Sequence, residues 1–167
     1  CDNAVPGVGS NVVIPNTATA PTIVSSGNCN NITLLPGATV VTTPNSLNVK
    51  GSMAGNGNTL TGTAPVIFSA SLNSQSILGD VTFTNVQNAN TNPGGLVIAA
   101  GANARINGVM TVAANGKTNV TGNLIVSSSS SGDGSIGVVG TGGTVTGNVT
   151  VERWLPNSGS PAWNFIG

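Results

Sequence analysis

One phrase constrains the fold of this chain more than any other: a β-branched residue, a corner of Gly and Asn, then an alternating strand. It occurs as Ile106-Asn107-Gly108-Val109-Met110-Thr111-Val112, as Val120-Thr121-Gly122-Asn123-Leu124-Ile125-Val126 and as Val145-Thr146-Gly147-Asn148-Val149-Thr150-Val151. Leu60-Thr61-Gly62 and Leu78-Gly79-Asp80-Val81-Thr82-Phe83 are variants of it. The spacing between copies is irregular, so the chain is not a fixed-period array. Each unit is too small to bury its own apolar face. Stacking units in line forms an inner column, and the backbone groups of each unit pair with the units above and below. The phrase therefore predicts an all-β chain folded as a parallel, right-handed β-helix with irregular coils. Residues 1–151 supply roughly seven to eight coils of ~20–25 residues each.

The rest of the chain has the same grammar. Short β-type runs follow one another: Val12–Ile14, Thr22–Val24, Ile32–Leu35, Ala38–Thr42, Leu47–Val49, Val66–Phe68, Val81–Val86, Leu96–Ile98, Ala104–Val112, Val120–Val126, Ile136–Val139 and Val145–Arg153. Val, Ile and Thr fit a pleated, half-buried surface. The Gly and Asn between them tolerate positive φ at corners. No stretch has a sustained helical period. A β-sandwich is the rival architecture, but it calls for clearer hairpin pairs and more aromatic residues than Phe68, Phe83, Phe165, Trp154 and Trp163. Two segments are expected to be exposed, mobile loops: Ser127–Gly134, bulging from a coil, and Gln87–Gly95.

Charge excludes several functions. Only 5% of residues are charged, against a usual ~25%. The bases are Lys50, Arg105, Lys117 and Arg153; the acids are Asp2, Asp80, Asp133 and Glu152. Four scattered bases form no basic face for a phosphate backbone, so no nucleic-acid partner is expected. No apolar run approaches the ~20 residues of a membrane span. The chain opens at Cys1 without a signal peptide and reads as mature or trimmed. Cys1 and Cys29 match no zinc or CxxC spacing. In an exported chain they read as a disulfide stapling the N-terminal turn, with unpaired thiols or a lipid-modified Cys1 as alternatives. A loop of that size contributes roughly 3 kcal/mol in the chain-entropy view.

Catalytic chemistry is thinly represented. There is no His, so a Ser–His–Asp triad is excluded. Sugar hydrolysis needs two carboxylates about 5–9.5 Å apart, and the four acids are widely spread in sequence. A polysaccharide lyase needs a basic proton acceptor; Lys50, Arg105 and Lys117 are the available groups, each read as a solvated charge. Asp133, in Ser-Gly-Asp-Gly-Ser, has the oxygen-rich surroundings that Ca²⁺ favours, but one carboxylate reads better as a turn. Glu152 and Arg153 are adjacent, so on a strand they face opposite ways and do not pair with each other. Asn31, Asn119 and Asn148 open N-x-Thr triplets that read as ordinary strand-and-turn sequence. No catalytic, metal or cofactor site is expected. Thr39, Thr42 and Thr43, with Thr59, Thr61 and Thr63, hint at an outward Thr array able to match a regular ligand surface.

Residues 152–167 differ in composition, with Glu152-Arg153-Trp154-Leu155-Pro156 followed by Pro161-Ala162-Trp163-Asn164-Phe165-Ile166-Gly167. They read as a cap or the start of a following domain. Several phrases also carry a family resemblance. Asp2-Asn3 through Ser10-Asn11-Val12-Val13-Ile14-Pro15, Cys29-Asn30-Asn31-Ile32-Thr33-Leu34 with Pro36-Gly37-Ala38-Thr39-Val40, and Gly147-Asn148-Val149-Thr150-Val151-Glu152-Arg153-Trp154 with Ala162-Trp163 following resemble the repetitive β-solenoid regions of secreted, adhesin-type surface proteins of the Bacteroidetes. The resemblance implies a segment of a large cell-surface protein, exported by the type IX secretion system and serving in adhesion or gliding. Surface glycans or other cell-surface proteins are the implied partners, with the secretion machinery during export. The resulting expectation is a non-enzymatic, structural or adhesive extracellular module, with an ice- or carbohydrate-binding module as the alternative.

Overall fold

The computed structural model describes residues 6–155, and they form a parallel β-solenoid of about six turns. The first turn carries β1 (Val12–Ile14) and β2 (Gly27–Cys29), and the second β3 (Ile32–Leu34), β4 (Thr39–Val41) and β5 (Leu47–Val49). The third has β6 (Met53–Thr61) and β7 (Val66–Phe68); the fourth has β8 (Gln75–Phe83) and β9 (Val86–Asn88). The fifth has β10 (Leu96–Ile98), β11 (Asn103–Ile106) and β12 (Val109–Val112). The sixth contains β13 (Lys117–Val126), a small hairpin of β14 (Ser128–Ser129) and β15 (Gly132–Asp133), and β16 (Ser135–Val139). A last strand, β17 (Thr144–Val151), stacks on β13. Apart from the antiparallel hairpin, every strand pairing is parallel, from one turn to the next.

The register explains the composition. Ile32, Met53, Ile77, Ile98 and Val120 are successive cross-strand partners and form one buried column. Val40, Leu60, Phe83, Ile106 and Val126 form a second. Leu47, Val66, Val86 and Met110 form a third on the opposite sheet. Inward and outward residues alternate because strand side chains have period two. Each fully buried Val, Leu, Ile or Phe contributes roughly 1.5–3 kcal/mol, and the columns join into one core. Phe68 and Phe83 meet edge to face inside it, with centroids 6.3 Å apart.

The recurring Gly has a steric cause. Gly79 sits at φ 71° directly beside Gly55. A Cβ on Gly79 would lie 2.1 Å from the Gly55 carbonyl oxygen, so only Gly lets the stacked corners approach this closely. An Asn or Asp follows the small corner residue (Gly55, Gly79, Ala102 or Gly122), and Asn56, Asp80, Asn103 and Asn123 stand in register across four turns. Asn103 Nδ2 donates to Asp80 Oδ1 at 2.6 Å, and Asn123 Nδ2 to Asn103 Oδ1 at 2.8 Å.

Several sequence expectations are corrected. There are about six turns rather than seven to eight, because some turns are long: Met53 faces Ile77 and Lys117 faces Thr144, whereas Val49 faces Phe68. Ala104–Val112 and Val81–Val86 are not single strands. Each breaks at a corner, after Ile106 and after Phe83. Thr22–Val24 supplies only an isolated bridge, Thr22 to Val41. Gln87–Gly95 is not an exposed loop: it begins within β9, and Asn88 and Asn90 are fully buried. Asn90 Nδ2 donates to Gln75 Oε1 (3.0 Å) and the Asn73 carbonyl (3.1 Å); Asn88 Nδ2 donates to the Lys117 carbonyl and Thr118 Oγ1, both at 2.7 Å. Gln75 Nε2 reaches the carbonyls of Val49 (2.7 Å) and Gly51 (2.8 Å). Such amides enter a core only when all their bonds are met, and among the described residues no buried side-chain nitrogen or oxygen lacks a partner.

Candidate functional site

The parallel wall is interrupted where β13 hands over to β16. Ser127 is still held in the coil, its N–H donating to the Ile106 carbonyl at 2.9 Å. The chain then leaves as β14, turns at Ser-Ser-Gly and returns as β15. Gly134 N–H closes the neck on the Ser127 carbonyl at 2.6 Å. The Ser/Gly content that marked this excursion in the sequence supplies the tight turn. Ser128 Oγ donates to the Asp133 carboxylate and ties the hairpin's two strands together.

This excursion gathers the chain's scarce charges. Arg105, outward on β11, reaches past Ser127 to Glu152, which follows β17. Its Nη1 lies 2.6 Å from Glu152 Oε2 and 2.9 Å from Ser127 Oγ. Both charged side chains are half exposed, at 37% and 38%, so the pair itself adds little to stability. The backbone after Glu152 stays against the hairpin, with Trp154 N–H donating to Ser128 Oγ at 2.7 Å. Two hollows result. One, of about 300 Å³, is lined by Arg105, Asn107, Glu152 and the hairpin serines. The other, of about 520 Å³, is lined by Ser128, Asp133, Glu152, Arg153 and Trp154. The expectation that Glu152 and Arg153 do not pair with each other agrees with the Arg105 partner of Glu152. Arg105 is thus an ion-pair member rather than a lone solvated charge.

The other singled-out residues lie apart. Lys50 Nζ donates to Ser69 Oγ at 2.9 Å on a different corner, and Lys117 opens β13. Asp80 belongs to the outward Asn ladder. Asn31 and Asn119 brace corners: Asn31 Oδ1 accepts from Ser52 N–H (2.7 Å), and Asn119 Nδ2 donates to the Gly94 carbonyl (2.7 Å). Of the Thr residues, Thr39, Thr59 and Thr82 stand in one cross-strand column, and Thr61 faces Val41. Arg105 and Ile125 interrupt the Thr run before Thr150 follows in the same column. Thr42 is buried and donates to the Ala64 carbonyl at 2.7 Å, while Thr43 Oγ1 accepts from Thr63 N–H at a corner. The six do not form one array.

Cys29 faces the core at the end of β2, and its Sγ donates to the Asn48 carbonyl at 3.8 Å. Burial pushes its thiol up to about 11, because the apolar surroundings disfavour the thiolate. Among the described residues it is unbridged; its expected partner, Cys1, lies outside them, as do Asp2 and residues 156–167. No group of three or more potential metal-ligating side chains occurs among the described residues, and none of their helices is long and apolar enough to cross a membrane.

Sequence reading missed Trp154 as a site residue, although the shift in composition at 152–167 marked its neighbourhood. Ser127 and Ser128 carry only a loop signal in the sequence, and no local pattern shows that they meet Arg105, Glu152 and Trp154. No family model, curated protein or solved structure matches the chain, so only the geometry bears on what this site does.

Proposed function

We propose that this chain is a non-catalytic, structural and adhesive module of a larger secreted protein, displayed on the cell surface and exported by the type IX route of the Bacteroidetes adhesins it resembles. The observation that carries this reading is the parallel wall of stacked corners, which among the described residues only the β14–β15 hairpin interrupts. The chain invests its residues in a stiff, mostly uncharged scaffold with one charged excursion. The phrases from Ser10 to Val40 and from Gly147 to Trp154 support the family. A Cys1–Cys29 disulfide belongs to the same extracellular reading. Peptide mapping of the unreduced protein is expected to recover the linked pair; alkylation of both thiols in untreated native protein would remove it. To test adhesion, beads carrying the chain are passed over polysaccharide-coated and bacterial surfaces. Retention above that of albumin-coated beads is expected, and equal retention would sink the reading.

A second reading, an ice-binding or carbohydrate-binding face, is favoured by the in-register column of Thr39, Thr59 and Thr82 with Thr61 beside it. Thermal hysteresis in a solution of the chain, lost in Thr59→Tyr, would support it over adhesion. Freezing indistinguishable from an albumin control would remove the ice arm.

A further inference from the structure

In a chain nearly stripped of charge, two of the four bases (Arg105, Arg153) and two of the four acids (Asp133, Glu152) converge on a single excursion. A half-exposed Trp154 joins them. We propose that the two hollows flanking the β14–β15 hairpin bind a neutral, hexose-containing oligosaccharide. This inference rests on the adhesive reading and names its ligand class.

Four observations support it. The hollows, at about 300 and 520 Å³, share Ser128 and Glu152 and adjoin one another; pockets of ~300–1,000 Å³ are the usual size for small ligands. Trp154 is 46% exposed on the wall of the larger one. An indole offers a broad apolar face for the C–H face of a pyranose and a polar edge for its hydroxyls. Among the described residues the polar groups retain bonding capacity: Arg105 uses Nη1 for both of its bonds, and Glu152 uses Oε2. Nη2, Nε and Oε1 therefore remain for a ligand, and carboxylate and guanidinium together suit the mixed donors and acceptors of vicinal hydroxyls. Finally, the two positive and two negative charges cancel, so the site has no net field to concentrate a polyanion. A polyhydroxylated neutral ligand fits that balance better than an acidic one.

The test uses the full chain carrying Trp163→Phe, so that Trp154 fluorescence alone reports. It is titrated with cello-, manno- and galacto-oligosaccharides, with oligogalacturonate as the acidic comparison, and the affinities are repeated by calorimetry. At least one neutral series is expected to saturate. Affinity is expected to fall tenfold or more in Trp154→Ala and in Glu152→Gln, with unchanged circular dichroism. Absence of saturation by every neutral series at millimolar concentration would overturn the proposal. So would equal affinity in the variants, or a preference for oligogalacturonate. If the beads adhere while both variants bind like the parent, the site fails and the adhesive reading stands. If the oligosaccharide binds but the beads do not adhere, the reverse holds.

Discussion

Ile32 and Val149 occupy the same kind of position in the sequence phrase, yet the fold treats them differently. Ile32 is 2% exposed and has turns on both sides. Val149, on β17, is only partly buried against the core. A carboxylate at position 32 has neither water nor a partner, so Ile32→Asp is expected to cost more than about 4 kcal/mol. Val149→Asp is expected to cost roughly 1–2 kcal/mol, since its carboxylate can reach solvent. Urea melts of the two variants check the order; equal losses would mean that the columns are not the core. Cys29 makes a pH-dependent contribution in its thiol form. An exposed thiol ionises near 9.0, and burial raises Cys29 to about 11. Between those values the unfolded chain has lost a proton that the native chain keeps. The contribution is therefore intact below pH 9 and is lost as pH rises through about 11. Cys29→Ala is expected to flatten this part of the stability curve, and an unchanged slope in that variant would assign it to other groups.

At the scale of elements, the repeat was legible but its register was not. Val120–Val126 and Val145–Val151 do stack, with Leu124 facing Val149 and Val126 facing Val151. Val120 nevertheless faces Gly147, because the register slips within the pair. Ile106–Val112 reads like the other two but lies at the next corner, where Ile106 faces Val126 and Met110 faces Val86. The phrase describes how any corner joins any strand, so likeness of phrase does not identify position in the turn. The Asn-rich turn after β9 misled for a related reason. Asn marks exposed turns when its side chain meets water, and here it meets carbonyls of neighbouring turns instead. Asn90→Ala removes the bonds to Gln75 and Asn73 and also orphans Asn92 N–H, which donates to Asn90 Oδ1 at 2.9 Å. A loss of roughly 1–3 kcal/mol is expected for each buried group left unpaired. A thermal melt within about 1 °C of the parent would show that water replaces the amide.

At the scale of the whole molecule, the solenoid was readable because its demands are local: alternating apolar residues on each short strand and Gly where corners touch. The hairpin site was not, because Arg105, Ser127, Glu152 and Trp154 come from three successive turns and are joined only by coil-to-coil register. The same part of the fold brings Asp133 and Glu152 to the wall of one hollow, where binding and sugar hydrolysis predict different results. The deciding measurement is to incubate the chain with insoluble and soluble polysaccharides, then assay both the protein retained and the reducing ends released. A binding, non-catalytic module is retained and releases no ends above a protein-free control. Ends accumulating at an enzyme-like rate, and lost in Glu152→Gln, would contradict it.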